Sequence, residues 1–186
     1  MTEIKAADVK TLRDKTGLGI MECKAALKET GGNLKEAVEY LKINSNLKAE
    51  KKASRTAVEG LLMTSGNLMI EVNCETDFVA KTDGFVELCH NLAMQIAATS
   101  PISLDKDSVP YDVIAKEKEI YTEQAKSSNK PDNIIEKMVE GRLSKFFQEN
   151  CLMEQAYIKD SDKKIADLMT ETIATLGENI TISKYT

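Results

Sequence analysis

A single histidine, His90, stands among the 186 residues, and the four cysteines form no C-x-x-C pair. A zinc site needs Cys or His ligands at suitable spacing, so no metal is expected. Cys23, Cys74, Cys89 and Cys151 lie far apart in a chain too long for a disulfide-stapled scaffold, and they read as buried free thiols. Cys89 and His90 are neighbours, yet adjacent helical residues point about 100° apart, which separates them as nucleophile and base. No Ser/His/Asp constellation can be assembled, and no G-x-x-x-x-G-K-[ST] loop is there to cradle phosphates. No apolar run approaches the ~18 residues of a membrane span. The start, Met1-Thr2-Glu3-Ile4-Lys5, has an early acid and none of the apolar stretch of a secretory signal. These absences predict a cytoplasmic chain that is no enzyme, binds no cofactor and meets no membrane.

What is present suits a folded globular protein: 42% hydrophobic and 30% charged residues. Charge is uneven. Residues 1–52 hold 11 Lys/Arg against 8 Asp/Glu, a net of +3, whereas the other 134 hold 14 against 22, a net of −8. A small basic unit is thus joined to a larger acidic one, which offers nucleic acid little to hold.

Three short helices are expected first. Residues 6–16 place Val9 and Leu12 on one side and stop at Gly17. Ile20 opens a second helix, with Ile20, Cys23, Ala26 and Leu27 as its apolar stripe. Asn33 caps a third, with Glu36 at capping-box spacing and Leu34, Ala37, Val38 and Leu41 as its buried face. Residues 45–55 are polar and basic without an apolar period and read as a linker, in part helical. Beyond them the period changes to two: Val58–Thr64, a turn at Ser65-Gly66 and Leu68–Asn73 predict a β-hairpin. Phe85, Leu88, Cys89, Leu92 and Ile96 mark a helix capped by Thr82 and broken at Ser100-Pro101. A charged helix over 110–127 turns Val113, Ile114, Ile120 and Tyr121 inward. Ile135, Met138, Val139, Leu143 and Phe146 mark another, where Gly141 allows a neighbour to come close. A strand over Leu152–Ile158, a helix over 163–175 and a strand at Ile180 and Ile182 complete the reading. The fold class is α+β: a three-helix bundle (1–44), a basic linker (45–55) and a core domain (56–186) in which helices pack on an antiparallel sheet.

Asn129-Lys130-Pro131-Asp132 fits the N-K-x-D pattern that reads guanine, but four residues match by chance and no phosphate loop accompanies them. They read as a loop feeding a Pro-initiated helix.

The stretch Glu71-Val72-Asn73-Cys74-Glu75-Thr76-Asp77-Phe78-Val79-Ala80-Lys81 carries the most information. It begins as a strand, with Ile70 and Val72 on one face and Met69, Glu71 and Asn73 on the other. Thr76 and Asp77 then bend the chain just before Phe78. Either Phe78 folds back onto the core, or an acidic-aromatic pair is held out for a partner.

The same stretch resembles a signature of the bacterial elongation factor Ts family, as does Val9-Lys10-x-Leu12-Arg13-x-x-Thr16-Gly17-x-Gly19-Ile20-Met21-x-Cys23-Lys24-x-Ala26-Leu27. Ile134-Ile135-Glu136-Lys137-Met138-Val139-Glu140-Gly141-Arg142 is similar to the family's later core helix. The resemblance implies a short-form guanine-nucleotide exchange factor, with one copy of a dimerisation-type core module, that binds elongation factor Tu in its GDP-bound and nucleotide-free states. It implies that the ubiquitin-associated-like bundle docks on the partner, and Arg13, Ile20 and Met21, an apolar pair beside a basic residue, are expected to make the contact. It also implies that Thr76, Asp77, Phe78 and Val79 push into the partner and disturb the magnesium and phosphate contacts of GDP. A homodimer, paired through the sheet edge or the 135–146 helix, is a further expectation. The alternative is a helical-bundle adaptor for ubiquitin-like or nascent chains.

Overall fold

The computed structural model describes residues 4–127 and 131–186. Three helices lead: α1 (Ala6–Thr16), α2 (Ile20–Glu29) and α3 (Leu34–Lys52). Gly17 ends α1 in the left-handed region at φ 69°, its N–H donating to the Arg13 carbonyl at 2.8 Å. Asn33 caps α3 by accepting the N–H groups of Lys35 and Glu36 at 3.0 and 3.4 Å, and its amide donates to the Glu36 carboxylate at 2.6 Å. Val9, Leu12, Leu18, Cys23, Ala26, Leu27, Ala37 and Leu41 form the shared core. Full burial of each leucine contributes about 1.5–3 kcal/mol.

Two expectations for this region need correction. Ile20 lies off the apolar stripe and is 55% exposed, and Val38 sits at the exposed margin of α3. Residues 45–52 of the partly helical linker continue α3. No Gly or Pro interrupts residues 34–59, and the outer turns are held by tertiary contacts rather than by an apolar period. In these turns Lys48 pairs with Glu22, and the Lys52 ammonium donates to the Ile173 carbonyl at 3.3 Å.

Next come β1 (Glu59–Ser65), β2 (Leu68–Cys74), α4 (Asp77–Ala80), α5 (Asp83–Thr99), α6 (Tyr111–Lys126), α7 (Asp132–Asn150), β3 (Ala156–Tyr157), β4 (Asp160–Lys164), α8 (Ile165–Leu176) and β5 (Ile180–Tyr185). The first sheet has the order β1-β2-β5 and is antiparallel throughout. Its hairpin turn is Gly66-Asn67, one residue later than expected, since Ser65 still pairs with Leu68. Ile70 and Val72 are fully buried as their face requires, and Asn73 on the opposite face is buried too. Gly60 pairs with Asn73 at φ 153°, and a Cβ there would sit 2.1 Å from the Val72 carbonyl oxygen. Only glycine lets the two strands meet at this point.

The described chain divides into two compact units, residues up to Asn91 with Asp167–Thr186, and Leu92–Ala166. The first holds the bundle, the three-stranded sheet and most of α8, and Ala174 of α8 packs on the bundle core. In the second, Ala125, Ile135 and Val139 form a small core between α6 and α7, flanked by Tyr121, Met138 and Leu143. The buried Gln95 carboxamide ties this unit together. It donates to the Gln155 side chain at 3.0 Å and accepts the Ile158 N–H at 2.9 Å.

Here, too, the structure departs from expectation. Leu152–Glu154 is a 3₁₀ turn, so the strand read over Leu152–Ile158 shrinks to β3, and β4 is an added partner. Asp160-Ser161-Asp162-Lys163-Lys164 carries no apolar alternation that would have announced a strand. Ile120 is exposed rather than inward, and nothing lies within 4 Å of a Cβ placed on Gly141. Of Asn129-Lys130-Pro131-Asp132, the first two lie outside the described residues; Pro131 precedes the first residue of α7.

Candidate functional site

Phe78 is 79% exposed, whereas Phe85, seven residues later, is wholly buried. Exposing a phenylalanine forgoes a large apolar burial, so the local structure must hold it out. Strand β2 ends at Cys74, and Thr76 caps the single turn α4, its hydroxyl accepting the Val79 N–H at 3.4 Å. Thr82 accepts the Phe85 N–H at 3.4 Å and so starts α5 directly afterwards. Two capped starts six residues apart leave Asp77 and Phe78 outward, while Val79 is half-buried and Ala80 buried.

The four expected residues therefore divide by role. Thr76 is anchored on every polar atom. Its N–H and hydroxyl donate to the Glu178 carboxylate at 3.0 and 2.7 Å, and its carbonyl accepts the Cys74 thiol at 3.1 Å. Burial, then the nearby Glu178 charge, pushes the Cys74 thiol up, so it stays protonated and able to donate. Asp77 is exposed and pairs with Lys81 at 2.7 Å, one helical turn on. That hydrogen bond and charge hold the Asp77 carboxyl below the usual carboxylate range and raise Lys81. Phe78 stands beside this pair as the presented apolar group.

The anchor was not foreseen. Glu178 also accepts the Glu75 N–H at 3.1 Å, while the Glu75 carboxylate accepts the Asn179 N–H at 2.7 Å. Each segment thus gives a carboxylate to the backbone of the other, extending the β2–β5 pairing outward from Cys74 and Ile180. Arg55 joins through its guanidinium, 3.4 Å from Glu75, and its carbonyl, which accepts the Asn179 amide at 2.7 Å. The only signal in the sequence is an acid just before the last apolar strand, too common to be read alone.

The second expected patch lies on the bundle. Arg13 and Ile20 line an open groove of about 500 Å³ with Ile4, Val9, Lys10 and Lys24. Met21 is not among the groove's lining residues and is 75% exposed. Lys10 and Lys24 each stand one helical turn from Arg13 or Ile20. With Arg13 they give the rim three cations against the one acid, Asp14.

No group of three or more His, Cys, Asp or Glu side chains is placed to hold a metal among the described residues. Burial pushes the Cys89 thiol up to about 12, and His90 is exposed while Cys89 is buried. That thiol remains protonated and is no nucleophile. No described helix is long and apolar enough to cross a membrane.

Comparison with known proteins gives a consistent answer. Residues 87–172 match the family model described as Elongation factor TS. The Elongation factor Ts of Moorella thermoacetica is 50% identical over 98% of this chain and 93% of its own length. That of Thermotoga maritima is 50% identical over 99% and 94%, and that of Thermosipho melanesiensis 48% over 98% and 96%.

Proposed function

The chain belongs to the elongation factor Ts family, and from that premise we propose that it is the guanine-nucleotide exchange factor of elongation factor Tu. The bundle docks on the partner through the Arg13–Ile20–Met21 patch, and the Thr76–Val79 turn pushes Phe78 and Asp77 towards the bound GDP. Exchange requires a factor that binds the nucleotide-free partner better than the loaded one. Magnesium bridging the phosphates contributes much of the nucleotide's affinity, so a wedge that disturbs those contacts weakens GDP.

The observation that carries this reading is the exposure of Phe78 on a turn anchored at both ends. An aromatic left in water on a rigid support is what a partner-binding anchor requires. Stopped-flow release of fluorescent GDP from elongation factor Tu tests it directly. Catalytic amounts of the chain should accelerate release, and a rate no faster than the spontaneous one refutes the reading.

Pairing of two copies belongs to the same proposal. Strand β1 lies at the sheet edge, with Val58 beside it and Leu62 within it, both exposed. Light scattering at micromolar concentration should give a species heavier than 20.6 kDa, and a single species of that mass refutes the pairing.

A further inference from the structure

From the carboxylate that closes on the Glu75–Thr76 backbone, we infer that Glu178 is the positioning residue of the exchange turn, acting on the partner only through the placement of Phe78; this rests on the wedge reading above.

A helix of four residues cannot hold itself. Nucleating one turn in water is unfavourable, with an equilibrium factor of about 10⁻³, and α4 has only the residues Asp77–Ala80. Something outside the turn must fix it. Val79 and Ala80 supply some burial, but the residue that sets the start and direction of the turn is Thr76, and three of the bonds at that point end on one side chain. Glu178 receives the amides of Glu75 and Thr76 on one oxygen and the Thr76 hydroxyl on the other, at 3.1, 3.0 and 2.7 Å. Bonds to an ionised acceptor are shorter and about twice as strong as neutral ones.

Glu178 is itself held from behind. The neighbouring Asn179 is buried, its N–H bonded to Glu75 and its amide to the Arg55 carbonyl, and Ile180 opens β5 in register with Cys74. The carboxylate therefore approaches from a paired strand end rather than a free loop. Asp77 and Phe78 follow Thr76 directly and make no bond to Glu178, so its influence reaches them through backbone geometry alone.

The test uses the full chain with elongation factor Tu loaded with a fluorescent GDP analogue, and reads release rate, affinity for the partner and melting temperature. Glu178→Ala should slow release about tenfold with affinity held by the bundle. Glu178→Gln, which keeps the shape and one acceptor for the two amides, should recover most of the rate, since the Thr76 hydroxyl can accept from the new amide. In the Phe78→Ala background Glu178→Ala should add no further loss, whereas a merely structural role would multiply through. Amide hydrogen exchange should show Glu75 and Thr76 protected in the parent and in Glu178→Gln and opened in Glu178→Ala. Should the alanine variant fail to fold, Thr76→Val, which deletes the hydroxyl bonded to Glu178 and to the Val79 N–H, must slow release with affinity for the partner kept and a melting temperature lowered no more than the loss of one cap allows. An unslowed rate in folded Glu178→Ala or Thr76→Val, or losses that multiply with Phe78→Ala, overturns the assignment of Glu178. Unslowed release in Phe78→Ala alone overturns the wedge reading instead, so the two failures are distinct.

Discussion

The start of α2 and the turn α4 both present apolar side chains to water, yet they are supported in opposite ways. The first residues of α2, Ile20 and Met21, follow Gly19, which makes no side-chain cap. That end is held by the ten-residue helix behind it, whose Cys23, Ala26 and Leu27 are wholly buried. Turn α4 buries only Ala80 fully, and its support is a set of hydrogen bonds converging on Thr76. Dispersion contacts keep a helix in place while tolerating small slides, whereas converging charge-assisted bonds fix direction. A docking surface needs the first property. A wedge that must reach one point in a partner needs the second.

The largest expected effect separates two phenylalanines within this contrast. Phe78→Ala should slow GDP release roughly thirtyfold or more, as for a truncated binding anchor of about 2 kcal/mol. Its melting temperature should stay near the parent's, because exposed truncations shift stability within about 0.5 kcal/mol. Phe85→Ala should instead cost about 3–5 kcal/mol of folding. Thermal melting beside stopped-flow release decides the point; a Phe78→Ala variant that melts like Phe85→Ala would remove the contrast.

The bundle should show the converse pattern. Ile20→Ala with Met21→Ala is expected to weaken complex formation by about 1–3 kcal/mol while GDP release from saturated complex keeps its rate. Calorimetry that finds affinity unchanged in the folded double variant would rule out this patch.

Caps sharpen the comparison at smaller scale. Asn33→Ala removes the cap of α3 and should cost about 1 kcal/mol of stability, with no change in release from saturated complex. Loss of exchange on removal of this cap would show that the bundle and the turn are not separable.

The smallest effect is one of pH. Asp77, lowered by Lys81, contributes its share of the ion pair above the ordinary carboxylate range and loses it as pH falls through the lowered value. Lys81, raised by Asp77, contributes below the ordinary lysine range and loses its share as pH rises through the raised value. Both stay charged between about pH 5 and pH 9, so release should be flat across that window in stopped-flow runs, once any dependence of the partner alone is subtracted. A titration there that vanishes in Lys81→Met would contradict this.

Much of this was readable from residue order, where local chemistry decides. Gly17, Asn33 and Thr82 announced helix ends because capping acts within one turn. Ile70 and Val72 announced a buried strand face because the β period is two. Phe78 was ambiguous for the same reason that it is informative: its surroundings are set by residues about a hundred positions away. The outer turns of α3 were legible only in part, because Lys48 and Lys52 act through bonds to Glu22 and Ile173, which leave no periodic trace. Strand β4 was missed because its five residues are all polar. Glu178 was missed because an acid before a strand has no signature until its partner's backbone is in view.

The pairing of Thr76 with a carboxylate 102 residues further along the chain also orders events in time. Ribosomes add about 5–20 residues per second, so for roughly 5–20 s after Thr76 is made its anchor does not exist. During that interval β2 can pair with β1 but not with β5, and the backbone amides of Glu75 and Thr76 lack their acceptor. Closing so long a loop is among the slow steps of folding, because its entropy is spent before its contacts form. The presented turn is therefore a late acquisition of the nascent chain. A ribosome-bound fragment ending before Glu178 would carry the β1–β2 pair beside a turn α4 that lacks its anchor.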